Sequence, residues 1–229
     1  MQDDLFADNT IRDRIITRED ASGLLGSTQH LIDCKVEEAD LSGLNMSEWT
    51  FERCNFRRAN LSRAALEGTR WLNCRAAFVS LTGAKLDEAV FVAGDLNNAS
   101  LRRCAMEGAR FERCKLTGAD LSEMKAISVY FEETLLINAK LPGVSFRKAT
   151  LRRLDFSQAD LRKCDFRQTV FEECSLRDAS LDGSRFDGAD LRGADLGGLR
   201  LQDASRFRGA TISRAQAGQI LGELGLKVI

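Results

Sequence analysis

The sequence predicts an all-β solenoid with four sides, and two nested periods are the basis of that prediction. Counting in fives from position 31 to position 201 gives 35 consecutive positions, of which 29 hold Leu or Phe. Every fourth of these positions, starting at Leu41, is a leucine. A strand buries every second residue and a helix one in 3.6, so neither element produces a period of five. A repeat of this kind buries its apolar residues by stacking one coil on the next.

The longer period predicts the number of sides. If one coil contains four five-residue units, equivalent residues of consecutive coils stack about 4.8 Å from one another, which is the spacing of paired strands. One wall of the core is then built entirely from leucine, at Leu41, Leu61, Leu81, Leu101, Leu121, Leu141, Leu161, Leu181 and Leu201. The wall that starts at Leu31 is rich in aromatic residues, including Trp71. About nine coils account for the repeat.

Small residues and glycines define the rest of each unit. Ala or Cys fills most positions two residues before the apolar one, and all seven cysteines lie there. Zinc sites use closely spaced Cys or His ligands, which this spacing does not supply, so we interpret the cysteines as core residues. Ten of the 18 glycines follow the apolar position by two residues. Leu141-Pro142-Gly143 matches a type II turn, with Gly at the positive φ.

The two ends depart from the repeat. Residues 1–30 are predicted to form an irregular N-terminal segment that can include a first partial coil, because Phe6, Ile11 and Ile16 keep the step of five. Residues 31–204 form the β-helix, and residues 205–229 form the end of the last coil, a helix and a tail. Near Leu201 one residue is inserted, which moves the apolar positions to Phe207 and Ile212.

The C-terminal helix has recognisable start and stop signals. The run from Ser213 to Gln216 is typical of a capping box, and Gly225 is typical of the residue that ends a helix. A lid that closes the last coil is one interpretation, because repeat arrays need caps. The same residues can also form a dimer surface, which would comprise Ile220, Leu221, Leu224, Leu226 and Val228.

Charge narrows the class of function. The chain has 33 basic and 34 acidic residues, which argues against general nucleic-acid binding. Residues 1–60 carry a net charge of −5 and the remainder +4. No apolar segment is long enough to be a signal peptide or a membrane span, so we expect a cytoplasmic protein. His30 is the only histidine, and the glycines follow the turns, so we expect no enzyme activity, no metal site and no cofactor.

Outward-facing residues supply the candidate sites. Consecutive pairs at 132–133, 152–153 and 172–173 alternate in charge and are expected to pair between coils. One acidic stripe has only Lys85 as a nearby basic residue and comprises Glu48, Glu67, Asp87, Glu88 and Glu107. Arg147, Lys148 and Arg167 lie farther along the same wall. The stripe is either an ordinary solvated face or a recognition surface for a basic partner. Six apolar residues also project outward and could form a binding patch: Phe78, Val90, Val92, Ile127, Tyr130 and Ile137.

Two sets of residues resemble known families. Ala39-Asp40-Leu41-Ser42-Gly43 and the similar unit at residues 59–63 resemble the pentapeptide-repeat proteins. This resemblance implies a right-handed quadrilateral β-helix. Gln216-Ala217, Leu221, Leu224-Gly225-Leu226 and Val228 resemble the C-terminal module of the quinolone-resistance (Qnr) and mycobacterial MfpA-type proteins.

The second resemblance implies a function. It implies a homodimer, joined end to end through the C-terminus, that imitates DNA and binds DNA gyrase or topoisomerase IV. Such a protein would protect the enzyme from quinolones or a peptide toxin, with the acidic stripe as the contact. The alternative is a structural scaffold or an immunity protein whose partner is not a topoisomerase.

Overall fold

A nine-stranded parallel ladder forms one wall of the molecule. The computed structural model describes residues 9–199, 205–223 and 225–228. The strands are β1 (Thr10–Arg12), β2 (His30–Ile32), β3 (Thr50–Glu52), β4 (Arg70–Leu72), β5 (Val90–Val92), β6 (Arg110–Glu112), β7 (Tyr130–Glu132), β8 (Thr150–Arg152) and β9 (Val170–Glu172). Each pairs with the next strand four units later in the chain, as Leu31 does with Phe51. One coil therefore contains four five-residue units.

Three further ladders complete the four sides. Single parallel bridges join Lys35 to Asn55, Asp40 to Asn60 and Asn45 to Ala65, and each series continues at the same offset. Two short strands, β10 (Cys174–Ser175) and β11 (Ala194–Asp195), extend one of these series. The predicted solenoid of about nine coils is confirmed.

The apolar positions fill the interior as predicted. The members of the leucine wall from Leu41 to Leu181 are buried, while Leu201 lies outside the described residues. On the β1–β9 wall, Trp71, Phe91, Phe111 and Phe131 stack with ring centroids 5.4, 4.8 and 5.3 Å apart. All seven cysteines are buried and unpaired. Burial raises the pKa of Cys104 to about 12 and that of Cys114 to about 11, as expected for core thiols.

The N-terminal segment contains a first partial coil and a short helix. β1 pairs with β2, and Ile15 bridges to Lys35. Helix α1 (Arg18–Gly23) begins at Thr17, whose side chain forms a capping box with Asp20. Ala21 on this helix is fully buried against the first coil. Phe6 lies outside the described residues.

The repeat is interrupted on one wall between residues 124 and 150, which the sequence did not predict. Ala126 is exposed rather than buried in its frame position, and Met124 is only partly buried. The wall's bridges run from Asn45 to Lys125 and resume only at Ser145. On the adjoining wall, β7 and β8 pair only at Glu132 and Arg152. In this unit a large residue, Met124, precedes a small one, Ala126, which inverts the usual order of the repeat, and the chain turns outward here.

The last coil shifts by one residue, as predicted. Asp190 bridges to Thr211, an offset of 21 rather than 20, and Phe207 stacks on Phe186 at 4.6 Å. Ile212, by contrast, is exposed. Helix α2 (Arg214–Glu223) follows. Neither described helix is long or apolar enough to span a bilayer.

Candidate protein-interaction surfaces

The acidic stripe lies on the interrupted wall. We call this the Glu67 wall; it comprises residues 45–48, 65–68, 85–88, 105–108, 125–128, 145–148, 165–168 and 185–188. In each regular unit the apolar side chain points inward and the next two residues point out. The second of these occupies a left-handed corner, as at Glu48 (φ 62°), Gly68 (φ 64°) and Glu88 (φ 58°).

Backbone hydrogen bonds align the acidic residues along the rod. The N–H of Gly68 donates to the carbonyl of Asp87 at 2.9 Å, and the N–H of Glu88 donates to that of Glu107 at 2.7 Å. Consecutive coils are therefore one strand spacing apart, about 4.8 Å. Glu67, Asp87 and Glu107 form a single outward column as predicted, with Glu48 and Glu88 at its corner.

Local hydrogen bonds, more than ion pairs, stabilise the column. The Glu67 carboxylate accepts from the Ser47 hydroxyl at 3.0 Å and lies 3.6 Å from the Lys85 ammonium. Asp87 Oδ1 accepts from the Glu107 N–H at 2.9 Å. Residue spacing indicated Lys85 as the nearby basic residue. The hydrogen bonds from Ser47 and from the Glu107 N–H depend on the stacking of coils and were not predicted.

Glu107 has a structural role at the interruption. Its carboxylate accepts from the Ile127 N–H at 2.7 Å, from the Ser128 N–H at 3.3 Å and from the Ser128 hydroxyl at 2.6 Å. These hydrogen bonds, that of the Ser128 hydroxyl first, hold the pKa of Glu107 below its usual range. Glu107 therefore anchors the displaced segment, a role that its place in the stripe did not indicate.

Glu48 and Glu88 are the free members of the stripe. Within the described part of the chain, neither carboxylate has an ion pair or a side-chain hydrogen bond. The Glu48 carboxylate lies across the corner of the next coil, where a Cβ on Gly68 would approach its Oε1 to 2.2 Å. The charge of the stripe that a partner can reach is therefore concentrated at the corner.

Beyond the interruption the wall becomes basic. Arg147 and Lys148 are exposed, and no described acidic group pairs with either of them. Arg167 and Arg185 pair with Asp165 and Asp187 of their own coils. The Glu67 wall therefore changes sign along its length, with the segment at 125–128 between the two halves.

The charges predicted to alternate on the β1–β9 wall do pair. Arg152 Nε lies 2.8 Å from Glu172, and Arg153 forms an ion pair with Glu133. Exposed pairs of this kind contribute little to stability. They leave a net charge of −2 at these six positions, because four of the six residues are acidic.

Three of the six outward apolar residues are substantially exposed. Ile127 is 91% exposed, Phe78 49% and Tyr130 48%. The guanidinium of Arg58 lies 5.9 Å from the Phe78 ring, and that of Arg110 lies 4.7 Å from the Tyr130 ring. The remaining three are half-buried: Val90, Val92 and Ile137. A shallow cleft of about 150 Å³ opens beside Tyr130, where β7 and β8 keep only one pair.

The C-terminal module presents a second apolar surface. The predicted capping box is present: Ser213 N–H donates to Gln216 Oε1 at 2.7 Å, and Gln216 N–H donates to Ser213 Oγ at 3.1 Å. Gln216 Nε2 also donates to the carbonyls of Leu191 and Ala194, which fastens the helix to the last coil. Gly225 (φ 80°) ends the helix as predicted, and the Leu226 N–H donates to the Leu221 carbonyl at 3.0 Å.

The residues predicted for dimerisation are mostly exposed in the single chain. Leu221 is 37% exposed, Leu226 57% and Val228 55%, while Ile220 is partly buried against the core. Leu224 lies outside the described residues. The module is therefore both a cap on the last coil and an apolar surface that the rest of the described chain leaves open.

The sequence matches three descriptions of one repeat family. They are "Pentapeptide repeats (8 copies)" over residues 34–70 and 54–92, "Pentapeptide repeat region" over residues 105–186, and "Pentapeptide repeats (9 copies)" over residues 166–216. No curated protein sequence matches the chain.

Solved structures show the same fold. One trypsin-treated variant of QnrB1, a plasmid-mediated fluoroquinolone resistance protein, aligns with a TM-score of 0.60 and 21% identity, covering 94% of this chain and 99% of that one. A second trypsin-treated QnrB1 variant aligns with a TM-score of 0.59 and 23% identity, covering 88% of this chain and 98% of that one. Together, the repeat matches, the coils of four units and these alignments show that the chain belongs to the pentapeptide-repeat family.

Proposed function

We propose that the protein is a DNA-mimicking interaction protein that binds a type II topoisomerase, either DNA gyrase or topoisomerase IV, and protects it from inhibitors such as quinolones or a peptide toxin. The observation that carries the proposal is the acidic column on one wall of a continuous stack of coils. DNA presents a regular row of negative charge along a rod. The column at Glu67, Asp87 and Glu107 presents carboxylates at a regular spacing of about 4.8 Å. The likeness in fold to QnrB1, a fluoroquinolone resistance protein, supports a role in protection from fluoroquinolones.

The accessible part of the contact is the corner of the stripe. Glu48 and Glu88 have no partner within the described chain, so their charge is available to a basic surface. Glu107 is occupied by the segment at 127–128. Binding should therefore depend more on Glu88 than on Glu107, and it should weaken as salt rises.

The experiment is a gyrase supercoiling assay with and without a fluoroquinolone. Wild type should preserve supercoiling in the presence of the drug. Glu88→Lys should lose most of this protection because it reverses an accessible charge of the stripe. Glu173→Lys is the matched control: it makes the same charge change at a left-handed corner (φ 54°) on another wall. Equal protection by the two variants would remove the stripe from the contact, and failure of the wild type to bind gyrase would remove the topoisomerase.

The proposed assembly is a homodimer through the C-terminus. Leu221, Leu226 and Val228 are exposed apolar residues at one end of the rod, and a two-fold axis would bury them on both copies. Deleting residues 226–229 should give a folded monomer at micromolar concentration. Sedimentation that shows the same dimer after this deletion would place the interface elsewhere.

A second candidate function has its own observation. Phe78 and Tyr130 are each exposed beneath an arginine, an arrangement that suits a protein partner better than a DNA-binding surface. A scaffold or immunity protein would bind through this region tightly and with little dependence on salt. Phe78→Ala and Tyr130→Ala would weaken such a complex and leave gyrase protection unchanged.

A further inference from the structure

On the Glu67 wall, charged residues at equal distances within two coils on either side of Ile127 carry opposite charges. Glu107 lies one coil before it and Arg147 one coil after it. Asp87 lies two coils before it and Arg167 two coils after it. Lys85 and Asp165 have the same relation in the neighbouring column, again with opposite signs. Apart from Lys125 at the centre, each charged position within two coils of Ile127 in these two columns thus has its opposite at the same distance on the other side.

Ile127 itself is an apolar residue in contact with solvent. At 91% it is the most exposed large apolar side chain among the described residues. Glu107 holds the backbone of this segment outward through hydrogen bonds to Ile127 and Ser128. The apolar side chain is therefore fixed in position at the centre of the charge pattern.

A two-fold axis converts this pattern into a self-complementary surface. When two copies pack wall to wall with the axis in the plane of contact and perpendicular to the rods, the rods run antiparallel and each column meets the same column of the partner. Ile127 then meets its own copy. Acidic residues on one side of Ile127 meet basic residues of the second copy, in both halves of the contact.

We propose that the Glu67 wall is a docking surface for a second copy of this chain, packed antiparallel with Ile127 at the centre. The proposal goes beyond the proposed function, because it uses the side of the rod rather than its C-terminal end. The free charges of the corner column fit the same arrangement. Lys148 would lie opposite Gly108 of the second copy, one coil from Glu88, and neither charged side chain has a partner within the described chain.

The pattern also limits the strength and length of the contact. Beyond two coils the complementarity ends, because Glu67 would face Asp187. At the centre, Lys125 would face its own copy, which is an unfavourable contact. Five coils span roughly 20–25 Å along the rod. A contact patch of that length on a single wall has a smaller area than the about 800 Å² per partner that a stable interface buries. The association should therefore be weak, reversible and sensitive to salt.

Occupation of this wall by a second copy would cover part of the acidic stripe. A topoisomerase and the second copy would then compete for Asp87 and Glu88. The association can be measured without any topoisomerase, so its failure and the failure of the proposed function are separate results.

The test is sedimentation of the full chain carrying Leu226→Asp, which places a charge in the C-terminal apolar surface and so removes contacts made there. At low salt the mass should rise with concentration, and the rise should disappear at high salt. Adding Glu88→Lys or Lys148→Glu should each lower the association constant by about tenfold or more, because each creates like charges across the contact. Lys125→Gln should raise it.

Mixing distinguishes this geometry from other modes of association. In an equimolar mixture of the Glu88→Lys and Lys148→Glu proteins, each reversed residue meets the other's reversed residue and the remaining wild-type pair is intact. The mixture should regain the wild-type association. Mixing that restores nothing, or a parent protein that stays monomeric at low salt and submillimolar concentration, would overturn the proposal and leave the wall open to a different partner.

Crosslinking tests the position of the axis. Ile127→Cys places two thiols across the axis, and oxidation of the two to one disulfide should give a covalent dimer at low salt. Phe78→Cys is the control, because it is exposed on another wall, and the seven native cysteines are buried. Equal crosslinking of the two variants would show random collision and contradict the proposed axis.

Discussion

The coils at residues 61–121 and the segment at residues 124–150 contain the same five-residue repeat, yet only the first region forms all four ladders. In the first region, Leu61, Leu81, Leu101 and Leu121 are at most 1% exposed, and every wall bridges to the next coil. In the second, the N–H groups of Ser145 and Thr150 find no described carbonyl in the preceding coil, whereas the equivalent N–H of Asp165 donates to Val144. The other two walls continue through Leu135–Asp155 and Lys140–Asp160.

This difference shows how the solenoid distributes its stability. Register is held by four ladders at once, so two intact walls and one remaining strand pair keep the coils aligned where the Glu67 wall opens. Repeat arrays obtain their stability from contacts between neighbours, and a local defect is therefore confined to the coils that meet there. The Phe131 ring still packs 6.4 Å from Phe146 across the gap.

The largest expected effect on stability distinguishes a buried position of the repeat from one that keeps the five-residue step but is exposed. Leu121→Ala should cost about 2–5 kcal/mol of unfolding free energy, through lost burial and the cavity left behind. Leu121→Lys should prevent folding, because an unpaired charge would lie inside the stack. Ala126→Lys, although in frame, should change stability by less than about 0.5 kcal/mol. Thermal melts measure all three, and a cooperatively melting Leu121→Lys protein would contradict the four-walled core.

Thiol labelling compares the accessibility of two alanines that both lie on the five-residue step. Ala76 is 2% exposed, whereas Ala126 is exposed. Ala126→Cys should react with a thiol reagent in mildly alkaline solution at the rate of a free thiol. Ala76→Cys should react more slowly by a factor on the order of a thousand, because burial raises the pKa of comparable thiols such as Cys104 to about 12. Similar labelling rates would mean that the two positions are equally accessible.

A smaller effect concerns the hydrogen bonds that hold the displaced segment. Glu107 has a lowered pKa because of the bonds from Ser128 and Ile127. Its contribution is therefore complete above the ordinary pKa of about 4.3 and is lost as the pH falls through the lower folded value. Hydrogen exchange at the Ile127 and Ser128 amides should be protected at a pH of about 5 and lose that protection in more acidic solution.

Two substitutions make this third prediction specific. Glu107→Gln should weaken the same protection above the ordinary pKa of the carboxyl, whereas Glu88→Gln should not, since Glu88 makes no such bonds within the described chain. A Glu107→Gln protein with unchanged protection would show that the segment is held by something else.

Most of the fold followed from periodicity. A residue at every fifth position that is Leu or Phe has no other way to be buried than in stacked coils, and the unbroken leucine series at intervals of 20 predicted four sides. The capping box at Ser213 and Gln216 and the stop at Gly225 were also predictable, because helix ends are determined by local hydrogen bonds. The placement of Glu67, Asp87 and Glu107 in one column followed from the same arithmetic.

The tertiary structure determined features that the five-residue step does not predict. The step of five does not show whether a unit fits into the core: Ala76, which follows the small Cys74, is buried, whereas Ala126, which follows the large Met124, is exposed. Nor does it show which charges are already used: Glu107 binds the backbone of the next coil, and Glu88 remains free within the described chain. Spacing along the chain determines which residues share a wall, whereas the contacts between coils determine which of them a partner can reach.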